Sequence, residues 1–362
     1  MEFNKDDTLI AKGFAIILMI MHHLYAFPKR IIGNNYYNSL FQIWGQDIEY
    51  WIGCFGKLCV CIFIFLSGFS AYKTFVKNNN SNFIFNRIFK FYKIYWTVFI
   101  IFIPLGYLLK YKREIKLFEL INNITCYNIT YNGEWWFATP FICIMLITPL
   151  ILKYFEKDNN TVSLIKNILF IITLAVIHRT LIPNLIKFDI LSEFSKSSYY
   201  RISDNILKLL PSYLMGLIFA KYEIFEKIRA KINCSYIINA SISFLGLILI
   251  FDCRSKTGMA MHWDYFYAPV VIFFFTNLVR NIKHIKIIFI SLGRKSSYMW
   301  LTHSFFCYQY FQKITYITRN SIIITIQLLA VSYITAIVLE KLNIFIFEKA
   351  KFLLLNLVRT NA

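Results

Sequence analysis

The chain has 362 residues, of which 58% are hydrophobic and only 16% charged, with a mean hydropathy of +0.54. Soluble domains are about half apolar and a quarter charged, so this composition excludes an ordinary soluble protein and points to an all-α, polytopic membrane bundle. The net charge of +20 invites a nucleic-acid reading, but the basic residues lie between apolar stretches. That pattern fits membrane topology and anionic lipid, with no nucleic-acid partner.

In chain order, ten stretches are long and apolar enough to be candidate spans: 8–27, 51–72, 88–109, 135–153, 163–182, 204–220, 234–251, 262–279, 296–312 and 320–339. The second contains Lys57, and the ninth follows another apolar stretch, "IKIIFISLG". The first is not followed by a small-residue cleavage site and reads as a retained helix. Lysine and arginine are moderately richer in the loops on the N-terminal side, which predicts both termini in the cytoplasm. "NNNSN" at 78–82 reads as a cytoplasmic turn, and 28–50, 110–134 and 183–203 are the longest outer segments. No repeat and no appended soluble domain is visible, so residues 1–362 read as one integral-membrane domain. The cysteines, at 54, 59, 61, 126, 143, 234, 253 and 307, form no CxxC pair. They read as small buried hydrophobes, with neither metal nor disulfide chemistry. Heavy use of Ile, Asn, Lys, Phe and Tyr suggests an AT-rich bacterial genome.

The first span poses a chemical question. "KGFAIILMIMHHLYAF" carries Lys12 at one end and His22 and His23 deep within, and ionisable groups in hydrocarbon are costly. Lys12 and His23 are eleven residues apart, three turns and about 20°, so they share a face and stand roughly 16 Å apart along the axis. An anion binder at the inner mouth and a titratable base deeper in thus lie on one line. His22 points about 100° away, toward a neighbouring helix. A second reading fits the same spacing, in which Lys12 snorkels to the headgroups and the histidines bond between helices.

Other segments decide between them. "FIFLSGFSAYKTF" from Phe63 is followed by "FIFNRIFKFYKIYW", with Arg87 and Lys90 one turn apart; then come "GEWWFATPFICIMLITPLI" from Gly133 and "LGRKSSYMWLTHSFF" from Leu292. With the first span, these resemble membrane-bound acyltransferase family 3, the bacterial polysaccharide O-acetyltransferases. That family's basic residue, ten intervening residues and histidine fall on Lys12 and His23. Its Arg-x-x-Arg signature falls on Arg87 and Lys90, and its late "LG-x-x-SY-x-x-YL-x-H"-like stretch on Leu292 to His303. Four motifs match in order, over essentially the whole chain. The second arginine is replaced by Lys90, which keeps charge and loses the bidentate fork. The usual proline downstream is replaced by Lys93, and the extra-cytoplasmic esterase-like domain of some members is absent.

The resemblance implies transfer of an acetyl or similar acyl group from cytoplasmic acyl-coenzyme A to a hydroxyl of a cell-envelope carbohydrate. The expected site has His23 as general base, a covalent acyl-histidine being the other use of that residue. Lys12, Arg87 and Lys90 are expected to hold the donor phosphates, with His22, Trp136, Tyr298 and His303 shaping the pocket and no metal. The cell membrane of a bacterium is the expected location. Trp136 and Tyr298 read equally as interfacial anchors, and His303 as an interhelical hydrogen bond. His178, next to Arg179, and His262 read as solvated residues near outer ends, and Glu134, which precedes two tryptophans, as a plain boundary residue in preference to a contact with a sugar. The competing class, a transporter or flippase for lipid-linked sugars, would show two related halves with matching interruptions. None is visible.

Overall fold

A computed structural model describes residues 2–111, 116–155, 160–186, 189–232 and 235–360, the side chains of 189–191 and 350–360 excepted. It is an all-α bundle. The elements are α1 (Lys5–Tyr25), a small hairpin of β1 (Gln42–Ile43) and β2 (Gln46–Asp47), α2 (Ile48–Gly56), α3 (Cys59–Asn78), α4 (Phe83–Leu108) and α5 (Leu117–Ile124). They continue with α6 (Ala138–Phe155), α7 (Thr161–Val176), α8 (Ile182–Leu185), α9 (Asp189–Ser195) and α10 (Ser198–Lys221). The remainder is α11 (Ile224–Lys231), α12 (Tyr236–Ser255), α13 (Asp264–Val279), α14 (Lys283–Ser304), α15 (Gln312–Thr315) and α16 (Ser321–Thr360).

Among the described residues seven segments are long and apolar enough to cross a membrane: Lys5–Tyr25, Ile48–Asn78, Phe83–Leu108, Gly133–Phe155, Thr161–Leu185, Tyr236–Ser255 and Ser321–Lys349. α13 is apolar but has only 16 residues, and α10 and α14 are long but more polar. The ten expected spans therefore correspond to ten long helical segments, seven of which are spans by length and composition. The expected ninth span, 296–312, is displaced. Its helix starts at Lys283, runs through "IKIIFISLG" and ends at Ser304. Two charges in this helix are met by neighbours: Lys286 pairs with Asp6 at 2.9 Å and Lys295 with Glu340. Cys234, at the start of the expected seventh span, lies outside the described residues. Cys54, Cys59, Cys61, Cys126 and Cys307 are buried as expected, whereas Cys253 is exposed.

α1 runs through the core of the bundle, between α2, α3, α13, α14 and α16. Its start is fixed by a capping box. The Asn4 side chain accepts from the backbone of Asp6 and Asp7, and Asp7 reaches back to the Asn4 N–H. Asp7 is also paired with Arg229 at 3.0 Å, which ties α1 to α11. Along its length α1 lies against α14 at backbone contact. A Cβ on Gly13 would stand 2.1 Å from the Phe289 carbonyl oxygen, and one on Gly293 2.1 Å from that of Leu9. Only small residues allow helices so close, and such crossings drive helix packing in lipid, where the hydrophobic effect between helices is absent. At the far end, tyrosines satisfy carbonyls that the helix leaves without partners. Tyr316 donates to Leu24 O at 2.9 Å, and Tyr308 to His23 O. The result is a first helix held rigid at both ends and along its middle. By contrast α12 lies at the periphery and exposes Ile237, Phe244, Leu245 and Leu249, a face suited to hydrocarbon.

Candidate active site

His23, in the last turn of α1, is nearly buried, at 8% exposure. The 3-10 turn Gly133–Trp135 places a carboxylate over it: Glu134 Oε2 lies 3.4 Å from His23 Nδ1. The turn is bolted to α14. Trp135, fully buried, donates from Nε1 to Leu301 O at 2.8 Å. Trp300 donates to Glu134 O at 3.3 Å, and Asn132 to Ser304 Oγ at 2.7 Å. The other carboxylate oxygen of Glu134 receives Arg30 Nη1 at 2.6 Å. Arg30 in turn lies over the Phe27 and Tyr308 rings. The array runs Arg30, Glu134, His23. A carboxylate at Nδ1 favours the tautomer with its proton there, which leaves Nε2 as the base. Among the described residues His23 Nε2 has no hydrogen-bond partner.

Two further histidines frame this ring. His303 stacks at a tilt, 4.6 Å between centroids, and His22 lies 5.0 Å away edge-on. His303 Nδ1 faces Trp300 O at 2.7 Å and His22 Nδ1 faces Gly53 O at 2.8 Å. Carbonyls only accept, so both Nδ1 atoms carry protons and both Nε2 atoms are bare acceptors. Each Nε2 is buried without a partner among the described residues. Unpaired buried acceptors are rare in folded proteins and call for an explanation, a donor on a ligand being one.

The expected basic group at the opposite end of α1 is brought together. The charges of Arg87 and Lys90 act directly on Lys12, and none of the three has a carboxylate partner among the described residues. Their roles differ. Arg87 uses Nη2 on Ser70 O at 2.9 Å and Thr74 Oγ1 at 2.8 Å, and Nη1 on Ser70 Oγ at 3.2 Å. Its guanidinium therefore clamps α4 to α3 and contributes charge, with little of its fork left for a ligand. Lys90 is exposed, and Lys12 half-buried.

The remaining expectations divide. Trp136 stands at the site's edge, its ring 5.3 Å from the ammonium of Lys57. Tyr298 is buried and touches none of the groups around His23. Five residues before His303 is about 140° around the helix, a direction in which it meets the field of Glu340. His178 is not solvated. It donates from Nε2 to Asp204 Oδ1 at 2.8 Å and lines a cavity of about 600 Å³ that also takes in Lys57, Trp136, Arg179 and His262. His262, in the loop before α13, is held below its ordinary pKa, first by partial burial and then by the charge of Arg179. Glu134 is no boundary residue but the carboxylate of the site, and Arg30, Tyr308 and Lys57 belong with it. An acid directly before the "WW" of "GEWW" was the one signal in the sequence that could have marked it.

Comparison with curated proteins and comparison with solved structures each return no match. A family model described as an acyltransferase domain matches residues 10–341. That match takes in Lys12, His23, Arg87, Lys90, Glu134 and His303, so the groups just described all fall within the shared domain. The chain is thus a multi-pass membrane protein belonging to acyltransferase family 3.

Proposed function

We propose that this membrane acyltransferase moves an acetyl or similar acyl group from cytoplasmic acyl-coenzyme A to a hydroxyl of a cell-envelope carbohydrate, in the cell membrane of a bacterium. The observation that carries this reading is the histidine–carboxylate pair at His23 and Glu134, joined by one rigid helix to unpaired cations about 16 Å away. Lys12 and Lys90 hold the phosphates of the donor, with Arg87 adding charge. The pantetheine arm is long enough to carry the thioester along α1 to His23.

His23 Nε2 takes the proton of the acceptor hydroxyl as its oxygen attacks the thioester carbonyl. The new C–O bond forms, the C–S bond breaks, and the imidazolium returns the proton to the departing thiolate. Glu134 holds the ring in the required tautomer and stabilises the imidazolium, while Arg30 fixes the carboxylate. The bare Nε2 atoms of His22 and His303 are acceptors for hydroxyls of the sugar. A base removed from such a site typically costs about 10²–10⁴ in rate. His23→Ala should accordingly abolish glycan acylation in cells at matched membrane levels of protein, and His22→Ala should reduce it less. Full acylation by the His23 variant would sink this assignment.

A further inference from the structure

We propose that the cavity lined by Lys57, Trp136 and Arg179 is the acceptor site and that it selects glycans bearing an anionic group, a carboxylate or a phosphate, near the hydroxyl that is acylated. This rests on the acyl-transfer reading above for what happens to the bound sugar, though not for its binding.

The argument is a charge balance. Asp204 is the only carboxylate lining the cavity among the described residues, and it is already engaged twice, by His178 at 2.8 Å and by Lys208. Behind the wall, Arg254 and Asp264 close on each other at 2.5 Å with both side chains fully buried. Two cations that line the cavity are left without a carboxylate partner among the described residues. Arg179 has only the Trp263 ring, 5.9 Å away, and Lys57 only that of Trp136. A half-buried lysine that makes no ion pair, with the carboxylates of Glu134 and Asp264 felt only at longer range, is costly and marks a functional position in a membrane protein. An anionic ligand removes that cost, whereas a neutral sugar leaves it standing.

The placement of Lys57 joins the cavity to the chemistry. It is the C-cap of α2, at the break before α3, with its ammonium over the Trp136 ring. Its charge reaches Glu134, His22 and His23. Trp136 follows directly on the turn that sets Glu134 against His23, so a glycan anchored by its anion at Lys57 and Arg179 lies next to that turn. Trp136 and Tyr265 give the wall aromatic faces suited to sugar rings.

Calorimetry on the full-length purified protein, without donor, tests this. Three probes share one backbone: maltotetraose, the same tetramer with a terminal uronic acid, and its terminal phosphate ester. Both charged probes should bind at least about tenfold tighter than the neutral one, and the tighter of the two names the anion. Arg179→Gln and Lys57→Gln should each remove most of that preference. Lys196→Gln, at an exposed lysine paired with Glu193 outside the cavity, should not. Equal affinity for charged and neutral probes, no binding of either charged probe at millimolar concentration, or an Arg179→Gln protein with its preference intact would overturn the proposal. Thiol release from acetyl-coenzyme A is scored on the same preparations. Release that depends on His23 without anion preference rejects the anionic acceptor alone. Anion preference without such release rejects the acyl-transfer reading.

Discussion

At the scale of single residues, the site is a set of tautomers imposed by neighbours. Three histidines lie in contact, and in each the atom that faces a fixed acceptor is Nδ1: Gly53 O at hydrogen-bond distance for His22, the Glu134 carboxylate at 3.4 Å for His23, Trp300 O at hydrogen-bond distance for His303. Among the three, only His23 faces a carboxylate, so only its ring has a counter-charge beside it for the imidazolium formed during transfer. That asymmetry makes Glu134 a positioning residue whose removal is testable apart from folding. Glu134→Gln keeps the size and can hold Nδ1 only weakly, so kcat for acyl transfer should fall by about 10²-fold or more, with KM for the donor nearly unchanged. Glu134→Asp should recover part of it. A Gln variant with wild-type kcat would remove the carboxylate from the mechanism. Among the cations the division of labour is equally sharp. Lys90→Gln should weaken coenzyme A binding by about 1.5–3 kcal/mol in calorimetry, the scale of a charge-assisted hydrogen bond. Arg87→Gln should also lower thermal stability, because it releases the clamp on Ser70 and Thr74.

Elements are where sequence reading succeeds and fails for identifiable reasons. The helical class and the first helix were legible, since twenty apolar residues have few alternatives in a bilayer. So was the shared face of Lys12 and His23, which is pure helix geometry. The start of α14 was not, because Lys286, Arg294 and Lys295 look like a loop until Asp6 and Glu340 supply counter-charges from elements far away in sequence. The pairing of Glu134 with His23 was illegible for the same reason. Glu134 lies more than a hundred residues from His23, and only the bolting of its turn to α14 brings them together. α14 also carries His303 and lies against α1, so the α1–α14 crossing sets the spacing of the site. Gly13→Ala should therefore be severe for a one-carbon change, since its Cβ would meet the Phe289 backbone at 2.1 Å. Loss of monodisperse protein or a clearly lowered melting temperature in detergent is expected. Gly133→Ala, with nothing within 4 Å, serves as the tolerant comparison. Equal melting temperatures in the two variants would mean that the close crossing contributes nothing.

At the scale of the whole molecule, the chemistry divides between two sides. The ends carrying Asp7, Lys12, Arg87, Lys90, Arg229 and Arg280 gather on one side, linked by ion pairs and shared fields. Arg30, Glu134, His178 and Asp204 gather on the other. The helices connect the two sides in alternation, so fixing one loop fixes the rest. Coenzyme A is made in the cytoplasm, and a donor bound at Lys12 and Lys90 requires that side to face inward. The excess of lysine and arginine in the same loops argues for that orientation independently. The prediction is then specific. In a background with Cys253, the exposed thiol among the described residues, and Cys234 both replaced by Ser, Asn34→Cys should react with an impermeant maleimide in intact cells. Asn78→Cys, exposed at the turn between α3 and α4, should react only after the membrane is opened. The reverse pattern would put the cation cluster outside, where no acyl-coenzyme A is available. The histidine centre would then have to draw its acyl group from a donor of another kind, and the cavity beside Lys57 would open toward the cytoplasm.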